Sequence, residues 1–433
     1  MKATLAVPCL ALAIVAQVSF AQASPDSLRL ESLRASSVAN DPRAAQVDLL
    51  ASQSLLRLRN IGADMRPSLS LDGLAQYQSA VAGLDVNLPG VSLPTPKKDT
   101  YDARIGAQQR IYDPTIRARR SVERAQLAES QARVRSALYL LTESVNSAFF
   151  TALRSQTAIA ELETTVTDLV AQLRVADARV KERAALPSES NALSAEILRR
   201  RQTIAEQQAA RRAAIAILSD LTGKTIDSLA PLSSPDLTAQ ANTARVNLAG
   251  IRARPEYEQF ARARDALEES ANARAAQEKP RVVAFGRAGY GRPGLNPLAD
   301  KFDTYWLGGI QFQWTPWTWG TTSRERQIAS LQRQIVSTEE AAFTAQLRRS
   351  VEQDLASIDR LESALTDDDQ IIALRENILA ETRSRYRESV VTSAEFVDRQ
   401  TDVLSARLNR AIHRVELAQA QAHLLTTLGV EVR

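Results

Sequence analysis

The stretch VRSALYLLTESVNSAFFTALRSQTAIAELETTVTDLVAQLRVADARV, residues 134–180, decides the fold. Val134, Leu138, Leu141, Val145, Ala148, Ala152, Ser155, Ile159, Leu162, Val166, Leu169, Leu173, Ala176 and Val180 step by alternating four and three residues. That is an a/d seam with one polar break, and it specifies a helix packed along a single stripe. Glycine is absent between Gly106 and Gly223 and again between Gly320 and Gly429. The same stepping returns in Leu404, Leu408, Ala411, Val415, Ala418, Ala422 and Leu425. At 1.5 Å per residue, one helix from about 115 to 183 would be roughly 100 Å long. No compact globule needs such a rod; it bridges a distance.

Upstream of the seam the period changes to two. Tyr101, Ala103, Ile105, Ala107 and Ile111 alternate with Asp102, Arg104, Gly106, Gln108 and Arg110, the mark of a strand with unlike faces. Trp306, Gly308, Ile310, Phe312 and Trp314 alternate in the same way and end at Pro316. Strands of about 10 to 12 residues are long enough to cross a bilayer core when tilted. The period alone also fits a soluble hairpin packed on a helix. All four tryptophans, Trp306, Trp314, Trp317 and Trp319, crowd at this strand and its end, which favours an interfacial aromatic girdle.

The whole pattern occurs twice. Pro42 and Pro255 open helical segments, Pro67 and Pro280 close them, and both pairs are 213 residues apart. Leu69, Leu71, Gly73, Ala75 and Tyr77 have partners at that offset in Val282, Ala284, Gly286, Ala288 and Tyr290. Farther on the offset is 206: Arg179–Glu182 answers Arg385–Glu388, and Gly223 answers Gly429. The seven-residue difference falls mostly in the loops, Gly83–Lys98 against Arg292–Lys301, where insertion is tolerated. Each repeat, about 40–223 and 254–429 with a linker at about 224–253, reads helix, strand, loop, strand and long helical hairpin.

The ends and the composition narrow the setting. Lys2, an apolar run from Ala3 to Phe20 and Ala21-Gln22-Ala23 read as a signal peptide over residues 1–23, leaving 24–433 as the mature chain. Its removal takes Cys9, the only cysteine, so no disulfide staples the fold. No later run approaches 18 apolar residues, so any membrane entry is by strands. A net charge of +4 gives no footprint for nucleic acid.

Nothing in the pattern points to chemistry. His413 and His423, the only histidines, lie ten apart on one helix without ligand spacing, so no metal or cofactor is expected. Asp367-Asp368-Asp369 cannot converge within one helix, where successive residues point about 100° apart, and reads as a solvated face. No nucleophile constellation or phosphate-loop glycine cluster is present.

Together these features resemble the TolC-like outer-membrane efflux factors. The second repeat's RYRESVVTSAEFVDRQ, Arg385–Gln400, is similar to that family's tip motif, with Tyr386, Glu395, Val397, Asp398 and Gln400 matching. Asn40-Asp-Pro-Arg-Ala-Ala and the Pro67 and Pro280 strand entries also fit. The resemblance implies a homotrimer whose strands close a 12-strand β-barrel in the outer membrane of a Gram-negative bacterium. The helices would continue it as a periplasmic tunnel, of the kind that serves efflux or type I secretion. It implies docking of a periplasmic adaptor at the tip turns, Glu182, Arg183, Ala184, Tyr386, Glu388, Ser389 and Val390, and an inner-membrane transporter beyond. The family's tip glycine is Arg183 here in one repeat and Ser389 in the other. Glu395 and Asp398, three apart on one helical face, and Glu189, at the 206 offset from Glu395, are candidate carboxylate rings at the periplasmic aperture. Solvent-facing acids on a charged helix are the plainer reading. The rival for the whole chain is a soluble periplasmic coiled-coil adaptor or scaffold. Adaptors normally carry one hairpin, whereas this chain has two hairpins and two strand pairs.

Overall fold

The computed structural model describes residues 27–81, 96–246, 252–296, 300–388 and 390–431. The segment expected to be a signal peptide (with Cys9), most of the Gly83–Lys98 loop and Ser389 lie outside them.

Helices and strands alternate as the two repeats require. Helix α1 (Leu30–Asn40), a 3₁₀ turn (Pro42–Ala45) and α2 (Gln46–Ala63) lead into β1 (Ser68–Tyr77) and β2 (Asp99–Tyr112). Then come α3 (Pro114–Tyr139), α4 (Leu141–Lys181), α5 (Pro187–Thr222) and the short α6 (Thr238–Val246). The second pass is α7 (Pro255–Ala276), β3 (Arg281–Arg292), β4 (Asp303–Gln313), α8 (Thr321–Arg387) and α9 (Ser393–Thr427). The change from strand to helix after β2 is local chemistry. Pro114 occupies the first helical position, and the Asp113 side chain accepts from Thr115 N at 3.0 Å, so a free N–H is capped where the helix begins.

The long helices meet the expected seam. None of its fourteen positions between Val134 and Val180 is exposed, and Ser155, Leu162, Leu169 and Ala176, seven apart, are all buried. One expectation is corrected: the first repeat's rod is not a single helix. It breaks at Leu140, where Glu143 N bonds Leu140 O at 3.2 Å, a tightened i→i+3 turn. The break coincides with Tyr139, which donates to Thr426 O on α9 at 2.5 Å and lies 5.0 Å beneath the Arg254 guanidinium. Among the described residues the second repeat shows no such anchor, and α8 runs 67 residues unbroken, about 100 Å.

The main core gathers Leu30, Phe149, Phe150, Ile215, Leu218 and Leu425 from α1, α4, α5 and α9. A smaller cluster of Leu169, Ala176, Leu193 and Ile197 with Val397 lies farther along the α4–α5 hairpin. Around one level the helices neighbour one another in the order α2, α3, α7, α8; around the other the order is α5, α4, α9, α8. The strands form one antiparallel sheet in the order β1-β2-β3-β4, leaving β1 and β4 as free edges. Among the described residues no helix is long and apolar enough to cross a membrane.

Candidate functional site

The sheet has two chemically distinct faces. Residues directly opposite one another in antiparallel strands share a face, and the register Leu71↔Ile105↔Ala288↔Trp306 crosses all four strands. Leu69, Ala107, Gly286 and Gly308 form the next row. This face is apolar from edge to edge, and it is bare: Leu71 is 81% exposed, Ile105 60% and Trp306 80%. The opposite face carries Ser70, Asp72, Asp102, Arg104, Gln108, Arg287 and Gln311. A bulge at Ile111, where the register shifts between Arg110 and Tyr112, lets β2 turn into α3.

The polar face is internally bonded. Arg104 reaches Asp72 at 3.6 Å and Asp102 at 3.5 Å, and Tyr305 donates to Asp102 at 2.6 Å. That last bond spans β3, and Gly289 makes it possible, since a Cβ there would lie 2.6 Å from Tyr305 Cζ. Sequence reasoning missed this network, although glycines at 289 and 291 in an otherwise regular strand were its signal.

The tryptophans divide between the ends of β4. Trp306 is near the loop end, while Trp314, Trp317 and Trp319 follow the strand toward α8. Eight residues separate Trp306 from Trp314, about 27 Å along a strand and about 20 Å along the normal at a 40° tilt. All four are more than half exposed.

At the far end of the helices the two hairpin turns lie together. The α4 end is a Schellman closure: Ala184 N bonds Arg179 O at 2.8 Å and Arg183 N bonds Val180 O at 3.0 Å. This motif puts its C′ residue in the left-handed region, and Arg183 has φ +58°. Glycines fill the same role at the ends of α5 and α9, Gly223 at φ +62° and Gly429 at φ +74°. Val390 N bonds Arg385 O at 2.9 Å at the end of α8; Ser389 is outside the described residues. Arg183→Gly is therefore expected to raise stability by up to about 1 kcal/mol, and Arg183→Val to lower it. Thermal midpoints of the purified protein check both.

Of the expected docking residues, Glu182, Arg183, Ala184, Glu388 and Val390 are exposed. Tyr386 is corrected: it is 2% exposed and unavailable as a contact. Its ring stacks on Phe396 of α9, centroids 5.2 Å apart and planes at 16°. Arg179 donates to Tyr386 O at 3.2 Å and Arg387 O at 2.6 Å, placing a cation on the C-terminal carbonyls of α8. Burial pushes the Tyr386 phenol above its ordinary pKa, the nearby Glu189 carboxylate adds to this, and Arg179 opposes it. Arg385 bonds Glu381 on its own helix at 2.5 Å. Within the chain, Arg179 thus caps the end of α8.

The candidate aperture acids have local roles as well. Glu395 and Asp398 are exposed and Glu189 half-buried. Thr392 Oγ1 accepts from Glu395 N at 3.2 Å, so Thr392-Ser393-Ala394-Glu395 is a capping-box sequence. Glu189 and Glu395 both stand in first helical turns, where a negative charge is favoured.

The reading of Asp367–Asp369 as a solvated face holds at the exposed Asp367 and Asp369 and is corrected at Asp368 alone. Asp368 is buried against His413 at 2.6 Å, and Asp369 pairs with Arg410 at 2.5 Å. A second clip joins His423 to Asp354 at 2.8 Å. Both histidines thus hold α9 to α8. The Asp354 hydrogen bond raises the His423 pKa above its ordinary 6.5, Asp354 and Glu143 charges add, and burial and Arg254 oppose. A raised imidazole pKa stabilises fully below the unfolded value, near 6.5, and loses that contribution as pH rises through the folded value. The wild-type thermal midpoint is expected to exceed that of His423→Gln by more at pH 6 than at pH 8.5. Among the described residues no group of three or more His, Cys, Asp or Glu is placed to hold a metal ion.

The fold has known counterparts. The outer membrane protein VceC from Vibrio cholerae matches with a TM-score of 0.67 at 15% identity, over 93% of this chain and 97% of that one. The Neisseria gonorrhoeae MtrE outer membrane channel, in its open state, matches with a TM-score of 0.64 at 17% identity, over 94% and 90%. CusC, described in terms of transmembrane channel formation, matches with a TM-score of 0.67 at 16% identity, over 93% and 92%. No family model and no curated protein matches the sequence. The mostly helical, TolC-like fold with a small antiparallel sheet is the fold of this chain.

Proposed function

We propose that this chain is the outer-membrane exit channel of a tripartite export system. Three copies close their twelve strands into a barrel, and the helical hairpins continue it as a periplasmic tunnel. The observation that carries this reading is the bare apolar face crossing all four strands, backed by a polar face and bounded by two free edges. Water penalises such a face and lipid penalises unpaired edges; closure with the apolar side outward relieves both. A soluble adaptor would need a cover for that face, and the described residues supply none.

The edges support closure by copies of the same chain. On α2, Leu49 and Leu56, seven apart, are exposed; on α8, at the opposite edge, Ile328, Leu331 and Ile335 are exposed at i, i+3 and i+7. Farther along α8, Ile371, Leu374 and Ile378 repeat that spacing. These are unpartnered heptad stripes of the sort that pack between helices. The two repeats, about 40–223 and 254–429 joined by 224–253, each contribute one strand pair and one hairpin. The structural neighbours, described as an outer membrane protein, an outer membrane channel and a protein of transmembrane channel formation, agree with this assignment.

The channel does no chemistry and needs no cofactor. Substrate arrives from an inner-membrane transporter through a periplasmic adaptor, which meets the exposed turn residues Glu182, Arg183, Ala184, Glu388 and Val390. Outer-membrane lipid surrounds the barrel, with the four tryptophans at its two boundaries. Fractionation tests the assignment: heat-modifiable trimers in the outer membrane are expected, and a soluble periplasmic monomer would overturn it.

Glu395, Asp398 and Glu189 form carboxylate rings at the aperture in this reading. Crowded like charges attract cations. Glu395→Gln with Asp398→Asn is expected to lower cation selectivity in planar bilayers several-fold while trimers still assemble. Unchanged selectivity would leave Glu395 as a helix cap alone.

A further inference from the structure

The helices just beneath the strands carry an uncompensated basic cavity. It has a volume of about 700 Å³ between the last turns of α2 and the first turns of α3, and Arg59, Asn60, Gly62, Arg66, Arg120 and Arg124 line it. Neighbouring arginines are paired: Arg57 with Glu123, Arg119 with Asp64 and Arg110 with Asp64. Arg59, Arg66, Arg120 and Arg124 make no ion pair among the described residues, and no carboxylate lines the cavity. Four exposed arginines around one cavity with no acid among its lining favour an anion there. Gly62 lets one of them approach the helix closely, since a Cβ there would lie 2.9 Å from Arg120 Nη2.

Its level and its side identify the anion. Arg66 stands two residues before β1 and Arg120 six residues into α3, about 9 Å below the strand end. The headgroup layer extends about 5–8 Å beyond the hydrocarbon, and an arginine side chain covers the remaining distance by snorkelling. Arg110 projects on the polar face of the sheet and shares Asp64 with Arg119. Arg119, Arg57 and Ile61 line a separate cavity on that side of the α2–α3 contact. The four-arginine cavity, lined also by Leu55 and Leu58, opens on the other side of that contact, which in the membrane reading is the side of the apolar sheet face and of lipid.

We infer that this cavity binds the phosphate headgroup of an anionic glycerophospholipid from the periplasm-facing leaflet. The inference rests on the membrane reading above. Corresponding positions of the second repeat are Asn272, Lys279, Arg326 and Ser330, so each chain holds one such site. A bound anionic lipid fixes the height of the barrel where α2 and α3 leave the bilayer.

Native mass spectrometry of the detergent-purified full-length protein tests it, with phosphatidylglycerol, phosphatidylcholine or inorganic phosphate added. Phosphatidylglycerol is expected to bind at least about tenfold more tightly than phosphatidylcholine. The preference falls to about threefold or less in Arg120→Gln with Arg124→Gln, and survives in the charge-matched Arg348→Gln with Arg349→Gln, far down α8. Millimolar inorganic phosphate leaves the lipid in place. Equal binding of both lipids, an equal loss in the control, or displacement by inorganic phosphate each overturns the site. Flotation on pure phosphatidylcholine vesicles separates the two claims: a protein that floats without lipid preference loses only this site, and one that never floats loses the membrane reading with it.

Discussion

Ile105→Arg is expected to cost about 2–4 kcal/mol per protomer in the inserted protein, and Gln108→Arg about 1 kcal/mol or less. The two positions are three residues apart on β2 and differ in face. Ile105 sits between Leu71 and Ala288 in the apolar row, near mid-strand. A guanidinium there must enter hydrocarbon or drag water in. Gln108 sits between Ser68 and Phe285 on the polar face, where in the proposed barrel a cation stays hydrated in the lumen. In a soluble hairpin both positions are exposed and both substitutions would be nearly neutral. The readout is the urea concentration that extracts and unfolds the protein from vesicles. Equal midpoints for the two variants would remove the bilayer from the account.

Phe396→Ala is expected to lose about 3–5 kcal/mol of local packing at the helical tip. Phe396 is fully buried, and its stack with Tyr386 joins the end of α8 to the start of α9 across the turn. Arg179 then ties that point to α4 through two carbonyls and lies 5.7 Å from the Tyr386 ring centroid. Removing the ring frees Tyr386 and with it the seat of Arg179. Because the main core is remote from the tip, trimers should still assemble while the channel stays open longer in planar bilayers and admits bulky hydrophilic solutes in cells. A variant with weakened packing and unchanged conductance would make the stack a structural contact without a part in closure.

Features with one buried or one apolar face were legible from sequence. The period-two strands commit every second residue to a surface and the a/d seam every third or fourth, so the pattern survives in one dimension. The Leu140 break, by contrast, follows from Tyr139 reaching Thr426, a partner 287 residues away. Asp368 read as solvated because its partner, His413, is 45 residues off on another helix. At the tip, the motif residue Tyr386 was found but its role was misjudged; nothing local reveals that it stacks on Phe396. Arg183 shows the reverse. The glycine of the resembling family marks a left-handed closing residue, and the chain keeps that backbone with an arginine in place. The four-arginine cavity needed three dimensions, since which arginines lack acids depends on how α2 lies on α3.

Closure of the sheet by neighbouring copies is the central claim, and disulfide trapping tests it most directly. Cys9 is the only native cysteine, and with Cys9→Ser as background the introduced pairs report alone. Within one chain β1 and β4 are separated by two strands, about 14 Å, beyond the roughly 7 Å Cα limit for a disulfide. Leu71→Cys can be combined in turn with Gly308→Cys, Ile310→Cys or Phe312→Cys, all on the same sheet face. At the matching register, oxidation in native membranes should give a reducible ladder of monomer, dimer and trimer that stops at three. No disulfide at any of these registers, or a ladder that continues past three, would contradict a closed trimeric barrel.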